Sequence, residues 1–547
     1  MKNLSKNRYN NYHKHTHYSN IFTPDTHTKI EDYCKRAIEL GHNTYFTTEH
    51  GYGGDIFACK ELCDKYGLKC IFAMEGYIVE NPLEQDRNNY HIILIAKTNK
   101  GRRALNLASS RANIEGYYYK PRLFLDDLLK IDKEDIFITS ACVAGICKNE
   151  DVFEKIALPL IKHFQEHFFL ELQPHNHPSQ ISLNKNILDY YRKYKEYGIK
   201  IISANDSHYI LPSDSEIRDQ FLEGKHIHYP EENGFILDYP DYDTILERYK
   251  NQGVLTEEEA SEAIKNTLIF DECEEIEIND DAKMPSLFPN LTEDEKFEKL
   301  KNIAFKNFDE IKIKDKIKKE DYQKYIDEIN RNLKVVKDTQ QMHTADYFLL
   351  DYYIFKKGIN DYGGIITRSG RGSCGAFMLN KMLGLTQIDK FTTNIPIYAD
   401  RFMSTARTIE NRSFPDIDAN VVSQEPFVKA SRFYLGENGC YPMMAYGTMQ
   451  ISESFRNICR SKGMSFEEFN DVAKDIDSYS NDKKWKEIIV EAKKLVDTIV
   501  SASVHPCSFL LLDKDIREEI GVVKLGDSIC AIITSDESDH WKYLKND

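Results

Sequence analysis

Short apolar runs alternate with amphipathic stretches through the first half of the chain. Ile30, Tyr33, Cys34, Ala37 and Ile38 recur at helical spacing, with Thr28 placed to cap the helix and Gly41 just past its end. The strand-like run 45–48 follows, and a second helix leads to another run at 70–73. Further strand-like runs cover 92–96, 136–140, 168–172 and 200–204. Strands separated by helical stretches predict parallel βα units, in a barrel or a sheet. Residues 272–289 are acidic and rich in breakers and read as a linker. A Lys/Glu-rich helical stretch is expected from about 292 to 337, and a second α/β region from Tyr347, with glycine-rich punctuation near 358–375. From 425 to 502 the pattern is mostly helical, and the last 40 or so residues read as short strands.

Composition adds one anomaly. Of 17 histidines in 547 residues, 14 lie in the first 228, which a metal site explains and a solvated surface does not. The formal net charge of −16 requires any polyanion-binding surface to concentrate its positive charge locally. None of the twelve cysteines forms a CxxC pair, so a zinc ribbon or a thioredoxin-like motif is not expected. The N-terminus has no apolar signal core, and no run of about 18 apolar residues occurs, so the expectation is a cytoplasmic chain with reduced thiols and no membrane partner.

The metal-type residues fall at strand edges. His13 and His15 form an HxH pair, whose imidazoles share one face of a strand. Asp25 follows. Glu49-His50 comes after the run 45–48, Glu75 after 70–73, Cys142 after 136–140, and Asp206 with His208 after 200–204; His91 opens 92–96 and Glu171 closes 168–172. Any one histidine is more often structural, but this repetition at strand ends is the arrangement of an active site on a parallel barrel. Mixed imidazole, carboxylate and thiolate donors in this number suit two or three close metal ions, as phosphodiester hydrolysis uses. His42, His163, His167, His175, His177, His226 and His228 are less well placed and are assigned no ligand role; His17 and His27 are left open.

In the second half, Ile365–Thr367 looks like a strand, followed by Arg368-Ser369-Gly370-Arg371-Gly372-Ser373 and a helical run 374–383. Strand, glycine turn and helix start together make a phosphate cradle. Asp416 and Asp418 form a DxD, which on a strand puts both carboxylates on one face for two-metal nucleotidyl transfer. Either motif alone is weak, since Gly/Ser loops and solvated acid pairs are common.

The motifs HKHTHYS, DTHTKI, TTEHG, MEGY, YHIILIAKTNKGRRALNL, TSACVAGI, FFLELQPH and ANDSHY, in this order and spacing, resemble the PHP (polymerase and histidinol phosphatase) domain that opens bacterial C-family replicative DNA polymerases. The resemblance covers about residues 8–270. It implies an α/β fold with a PHP-type distorted (βα)7 barrel and carries the metal ligands onto His13, His15, Asp25, His50, Glu75, His91, Cys142, Asp206 and His208. It further implies two or three divalent ions (Zn2+, Mn2+ or Fe2+) and 3′–5′ proofreading exonuclease action. Glu49 stands where the family usually has Asp.

DYFLLDYYIFKKGI, RSGRGSCGAFMLNKMLGLT, IPIYADRFMS and FPDIDAN resemble the palm of the same polymerases, a mixed α/β nucleotidyltransferase-like fold, and YGTMQISESFRNICR its helical thumb. VHPCSFLLL, TSDESDHW and YLKND continue in family order. The resemblance implies that Asp416, Asp418 and Asp547 are the catalytic aspartates, with Mg2+ as cofactor, and that Arg371, Gly372, Ser373 and Lys545 bind nucleotide phosphates. Ala419-Asn420 and the Arg-Ser start of the loop depart from the family pattern.

The expected organisation is then 1–275 phosphoesterase, 276–345 helical linker, 346–424 palm, 425–502 thumb and 503–547 palm again, ending at the third aspartate. The family's fingers are not in this sequence. The expectation is therefore part of a split DNA polymerase, working on primer-template DNA and dNTPs with a second polypeptide that carries fingers, and with other replisome proteins as further partners. A viral source would suit so compact a chain, placing it in the host cytoplasm. Two alternatives stand beside this: a phosphoesterase for small phosphates with a vestigial palm, and a non-catalytic replisome scaffold.

Overall fold

The computed structural model describes residues 7–547, which divide into two compact units. The first comprises the described residues up to Ile278, then Ala445–Ser503 and Ile520–Ile532; the second comprises Asn279–Met444, Val504–Glu519 and Ile533–Asp547. Among the described residues no helix is long and apolar enough to cross a membrane.

The first unit opens with β1 (Thr44–Tyr45), parallel to β2 (Lys69–Cys70). Seven further strands follow: β3 (Ala73–Ile78), β4 (Tyr90–Ala96), β5 (Tyr117–Tyr118), β6 (Lys120–Leu123), β7 (Ile136–Thr139), β8 (Phe168–Leu172) and β9 (Lys200–Ser203). They form one sheet in the order β5-β6-β3-β4-β7-β8-β9. The sheet is mixed where parallel units were expected: β4 runs antiparallel to both β3 and β7. This reversal brings the N-terminal end of β4 beside the C-terminal end of β3, pairing His91 with Tyr77. Glu75 lies within β3, not after it, because the strand begins three residues later than the apolar run suggests.

Beyond the named strands, backbone bonds place three short segments side by side and join the last of them to β3. His15 N donates to Ser207 O, Thr48 N to Lys14 O, and Glu75 N to Glu49 O. Ala73, Ile93, Ile95, Phe137, Phe169, Ile202 and Ala204 pack around Phe270, which also meets the rings of Tyr12 and Phe46. Side chains alternate faces along a strand. Glu75, His91 and Glu171 therefore share the parity of these apolar residues, and Asp206 continues that of Ile202 and Ala204 beyond β9. One face thus carries a greasy plug at one end and polar donors at the other.

Helix Ile30–Glu39 buries Ile30, Tyr33, Cys34 and Ala37 as its periodicity predicts. Its N-cap is Lys29, not Thr28; the Thr28 hydroxyl donates instead to the His208 carbonyl, 2.7 Å away. Helix Ser215–Gly224 packs through Ile217, Phe221 and Leu222 on Phe455, Ile458 and Trp485 of the later segment, whose first helix is Ile451–Ser461. β10 (Cys440–Thr448) interrupts the region expected to be mostly helical, and β11 (Ile499–Leu511) follows it. The hairpin of β12 (Val522–Leu525) and β13 (Ser528–Ala531) is pinned by Val522 N to Ser110 Oγ and Lys524 N to Asn113 Oδ1.

The second unit is built around the buried helix Thr344–Tyr362, with helices Glu293–Lys314, Tyr322–Asp338 and Glu425–Leu435 against its core. The single helical stretch expected over 292–337 is two helices, the first capped by a Thr292–Glu295 capping box. The lysine-dense turn between them has no apolar stripe to bury. β14 (Leu544–Asn546) lies antiparallel to β11. Three expectations fail here. Ile365–Thr367 makes only one bridge, Ile366 to Val421. The helix expected at 374–383 is a 3-10 turn, Cys374–Ala376, and a short helix, Met378–Met382, parted where Phe377 takes an extended conformation and stacks on Phe348. Asp416 and Asp418 lie on a segment of no regular secondary structure, outside any strand.

Candidate functional sites

The first unit brings all nine donors proposed from sequence into one cluster. His13 Nε2 lies 3.4 Å from Glu75 Oε1 and 3.2 Å from Asp206 Oδ1; His15 Nε2 lies 3.5 Å from Glu75 Oε2 and 3.3 Å from Asp206 Oδ1. His50 Nε2 is 3.6 Å from Asp25 Oδ2, and His208 Nε2 is 2.9 Å from the same oxygen. His91 Nδ1 is 3.0 Å from Glu75 Oε1 and 3.6 Å from Cys142 Sγ. Three overlapping triads result: His13, His15 and Asp206; His15, Asp25 and His50; His50, Glu75 and His91.

These atoms crowd without bonding. His13 Nε2, His50 Nδ1, Asp25 Oδ2, Asp206 Oδ1 and both Glu75 oxygens are buried and make no aligned hydrogen bond. Unpaired buried acceptors are costly, so a cluster of them points to an occupant. The separations also fit one: a tetrahedral ion with ligands at about 2.1 Å has ligand edges of about 3.4 Å. The residues present therefore fit a divalent metal centre.

Other residues aim the donors. His13 Nδ1 is 2.8 Å from Glu171 Oε1, and Glu171 also accepts from Tyr12, Thr139 and Gln173. His208 Nδ1 donates to the Asp206 carbonyl at 2.8 Å. Both contacts hold the proton on Nδ1 and turn Nε2 inward, as a metal-bound histidine requires. Arg218 grips Asp25 through both its carbonyl and Oδ1, at 2.9 Å each. Asn20 accepts from Asp25 N and Thr26 N and donates to Thr26 O and Ile499 O. His17 Nδ1 accepts from Ile499 N at 3.0 Å. Glu171 was singled out from sequence among the metal-type residues at strand ends but left out of the ligand set, and here it orients His13 instead. Arg218 and Asn20 were not singled out, and nothing local marks them.

Electrostatics follow from the crowding. Burial opposes charge throughout, yet His208 holds the Asp25 carboxyl well below the usual range, and His91 and His50 do the same for Glu75. Burial and the neighbouring His50 push His15 down to about 4. Glu49, adjacent to the cluster, is pushed up to about 8 by burial and Asp55, against the Ser19 and Thr16 donors that favour its ionised form.

The second unit gathers the acidic residues. Asp547 O accepts from Ala419 N at 3.1 Å, and Ser508 Oγ donates to Asp547 Oδ1. Burial pushes Asp416 up to about 6, with Lys545 opposing and Asp547 adding to the rise. Asp418 is raised by burial and Asp547, and Arg371 opposes. Mutual repulsion among carboxylates is the condition a cation relieves. Lys545 Nζ lies 3.9 Å from Asp416 Oδ2 and 2.7 Å from Asp539 Oδ2. Arg371 Nε lies 3.7 Å from Asp418 Oδ1, and its guanidinium contacts Cys507 Sγ at 3.6 Å. Gly372 has φ +58°, and a Cβ there would stand 1.8 Å from Asp418 Oδ2. Ser373 opens the 3-10 turn beside it. A cavity of about 420 Å³ is lined by Arg371, Asn420, Cys507 and Asp547, among others. Cys507, Ser508 and Asp539 are the participants that sequence reasoning missed.

Comparison with known proteins agrees with both halves. Residues 11–175 match the PHP domain family, and residues 298–547 match the bacterial DNA polymerase III alpha NTPase domain. The chain thus carries a PHP match in its first half and a DNA polymerase III alpha match in its second, and is homologous to DNA polymerase III alpha subunits over most of its length. The DNA polymerase III subunit alpha of Aquifex aeolicus is 26% identical over 84% of this chain and 40% of its own length. That of Borreliella burgdorferi is 28% identical over 86% of this chain and 40% of its own, and that of Chlamydia trachomatis is 25% identical over 94% and 47%. The chain therefore spans less than half the length of these relatives. A solved structure described as a putative metal-dependent phosphoesterase from Bifidobacterium adolescentis matches at 12% identity and TM-score 0.25, covering 36% of this chain and 87% of that one.

Proposed function

We propose that the chain is a component of a replicative DNA polymerase whose PHP domain is a metal-dependent 3′–5′ exonuclease. The observation that carries the reading is the convergence of nine metal-type side chains whose buried acceptors lack hydrogen-bond partners. His13, His15, Asp25, His50, Glu75, His91, Cys142, Asp206 and His208 would hold two or three divalent ions. Bound there, such ions supply an activated water and Lewis-acid stabilisation of the leaving oxygen. The chain's own part is to hold the imidazoles in the ligating tautomer, through Glu171 for His13 and the Asp206 carbonyl for His208.

In the second unit, Asp416, Asp418 and Asp547 would bind Mg2+ and Arg371, Gly372, Ser373 and Lys545 the triphosphate of a dNTP. Support comes from the shared upward shift of Asp416 and Asp418 and the two cations beside them. Because the relatives are more than twice as long, this reading includes a second polypeptide bringing the remaining polymerase domains. It also takes residues 1–275 as a distorted (βα)7 barrel, supported by the backbone bonds from Ser207 through Lys14 to Thr48. Residues 276–345 are then a linker, 346–424 and 503–547 the palm, and 425–502 the thumb.

The test is direct. The purified chain, loaded with Mn2+ or Zn2+, should shorten 5′-labelled DNA from its 3′ end, and His13→Ala should abolish this. Release from a nucleoside monophosphate but not from DNA would favour the small-phosphate alternative. No metal uptake and no hydrolysis would leave the scaffold.

A further inference from the structure

Glu49 precedes a proposed metal ligand but does not point at the donors. It is fully buried, and its carboxylate takes every bond from one turn: Thr16 N at 3.1 Å, Thr16 Oγ1 at 2.6 Å and Ser19 Oγ at 2.5 Å. Ser19 Oγ has two more neighbours, His15 Nδ1 at 3.1 Å and the His50 backbone N–H at 3.2 Å.

A hydroxyl has one proton and two lone pairs. With Glu49 ionised, the form its Thr16 and Ser19 donors favour, Ser19 gives it the proton and both lone pairs of Ser19 are left as acceptors. One is used by the His50 amide. The other can meet His15 Nδ1 only if that nitrogen carries hydrogen. His15 must then present an unprotonated Nε2, and this is the atom that faces Glu75 and Asp206.

We propose that Glu49 is a positioning residue for the metal centre, acting through Ser19 to fix the tautomer of His15. This rests on the metal-centre reading above. It makes a specific demand on side-chain chemistry. Glu49→Gln keeps the shape but offers an amide N–H, which cannot accept from both Thr16 and Ser19. Turned toward Ser19, that N–H would send the hydroxyl proton to His15 Nδ1 and leave Nε2 protonated.

The test uses the full chain, stripped with chelator and titrated with Co2+, whose visible ligand-field absorption reports both affinity and ligand set. Ser19→Ala and Glu49→Gln should each weaken Co2+ binding by about 10- to 100-fold and alter the spectrum. In a His15→Ala background neither should change affinity further by more than about twofold, because the effect travels through His15. A merely structural role would give losses that add to that of His15→Ala. Additive losses, or variants that load with wild-type affinity and spectrum, overturn the proposal while leaving the metal centre in place. If the wild-type chain takes up no Co2+, the metal-centre reading falls and this one with it. Ser19→Ala removes a single oxygen, so the test survives if Glu49→Gln does not fold.

Discussion

Two single residues in the second unit make measurable demands. Gly372 sits at φ +58°, where any side chain is strained, and a Cβ would collide with Asp418 Oδ2. Gly372→Ala should cost about 1–3 kcal/mol in urea unfolding, from left-handed strain and a displaced carboxylate together. It should also abolish Mg2+-dependent dNTP binding, read by equilibrium dialysis. Asp351 is fully buried, and its carboxyl accepts from Asn546 Nδ2 at 2.5 Å. Burial pushes its carboxyl up to about 7, against about 4 in an unfolded chain. The neutral form is therefore the one the fold prefers. Its contribution is complete below pH 4 and is lost as pH rises from about 4 through 7. Asp351→Asn should remove that dependence: little change at pH 4, and a gain at pH 8 of at most about 4 kcal/mol, read by thermal unfolding across pH.

At the scale of elements, the first unit depends on a segment far along the chain. Ile217, Phe221 and Leu222 are covered by Phe455, Ile458 and Trp485, and the Asp25 loop is bracketed by Asn20 to Ile499. Phe455→Ala should cost about 3–5 kcal/mol. A fragment ending at Ile278 should bind a hydrophobic dye and hold metal more weakly than the full chain, by equilibrium dialysis. Legibility in the sequence divides along the same line. The candidate donors were readable because strand parity and an HxH pair are local signals, and repetition at strand ends multiplied them. Helix Ile30–Glu39 was readable from periodicity, but its cap was not, since Thr28 answers to His208, distant in sequence. The direction of β4 was unreadable, because a strand's pattern is the same in either direction. β10 was missed because its methionines and Pro442 suit no strand template, and its pairing comes from elsewhere. Arg218 and Asn20 act only through contacts made by folding.

At the scale of the whole molecule, metal and fold should be linked. A divalent ion that binds the folded cluster and not the unfolded chain stabilises by about 2.7 kcal/mol at 100 times its dissociation constant. Chelator should therefore lower the melting temperature of the loaded chain, and added Mn2+ should restore it. His13→Ala should shrink both shifts, by calorimetry.

The two units are also threaded through one another in sequence. The chain passes from one to the other at 278, 444, 503, 519 and 532, and β10 and β11 each run through such a passage. This has a consequence in time. A ribosome adding about 5–20 residues each second needs roughly 13–50 seconds to travel from residue 278 to residue 532. Until the stretch 445–503 has been made, Phe221 and Leu222 lack Phe455, Ile458 and Trp485 to cover them, and the first unit stays incomplete to the end of the interval. Birth, not thermal stress, is then the moment of greatest exposure, and chaperone demand should track translation speed through this stretch.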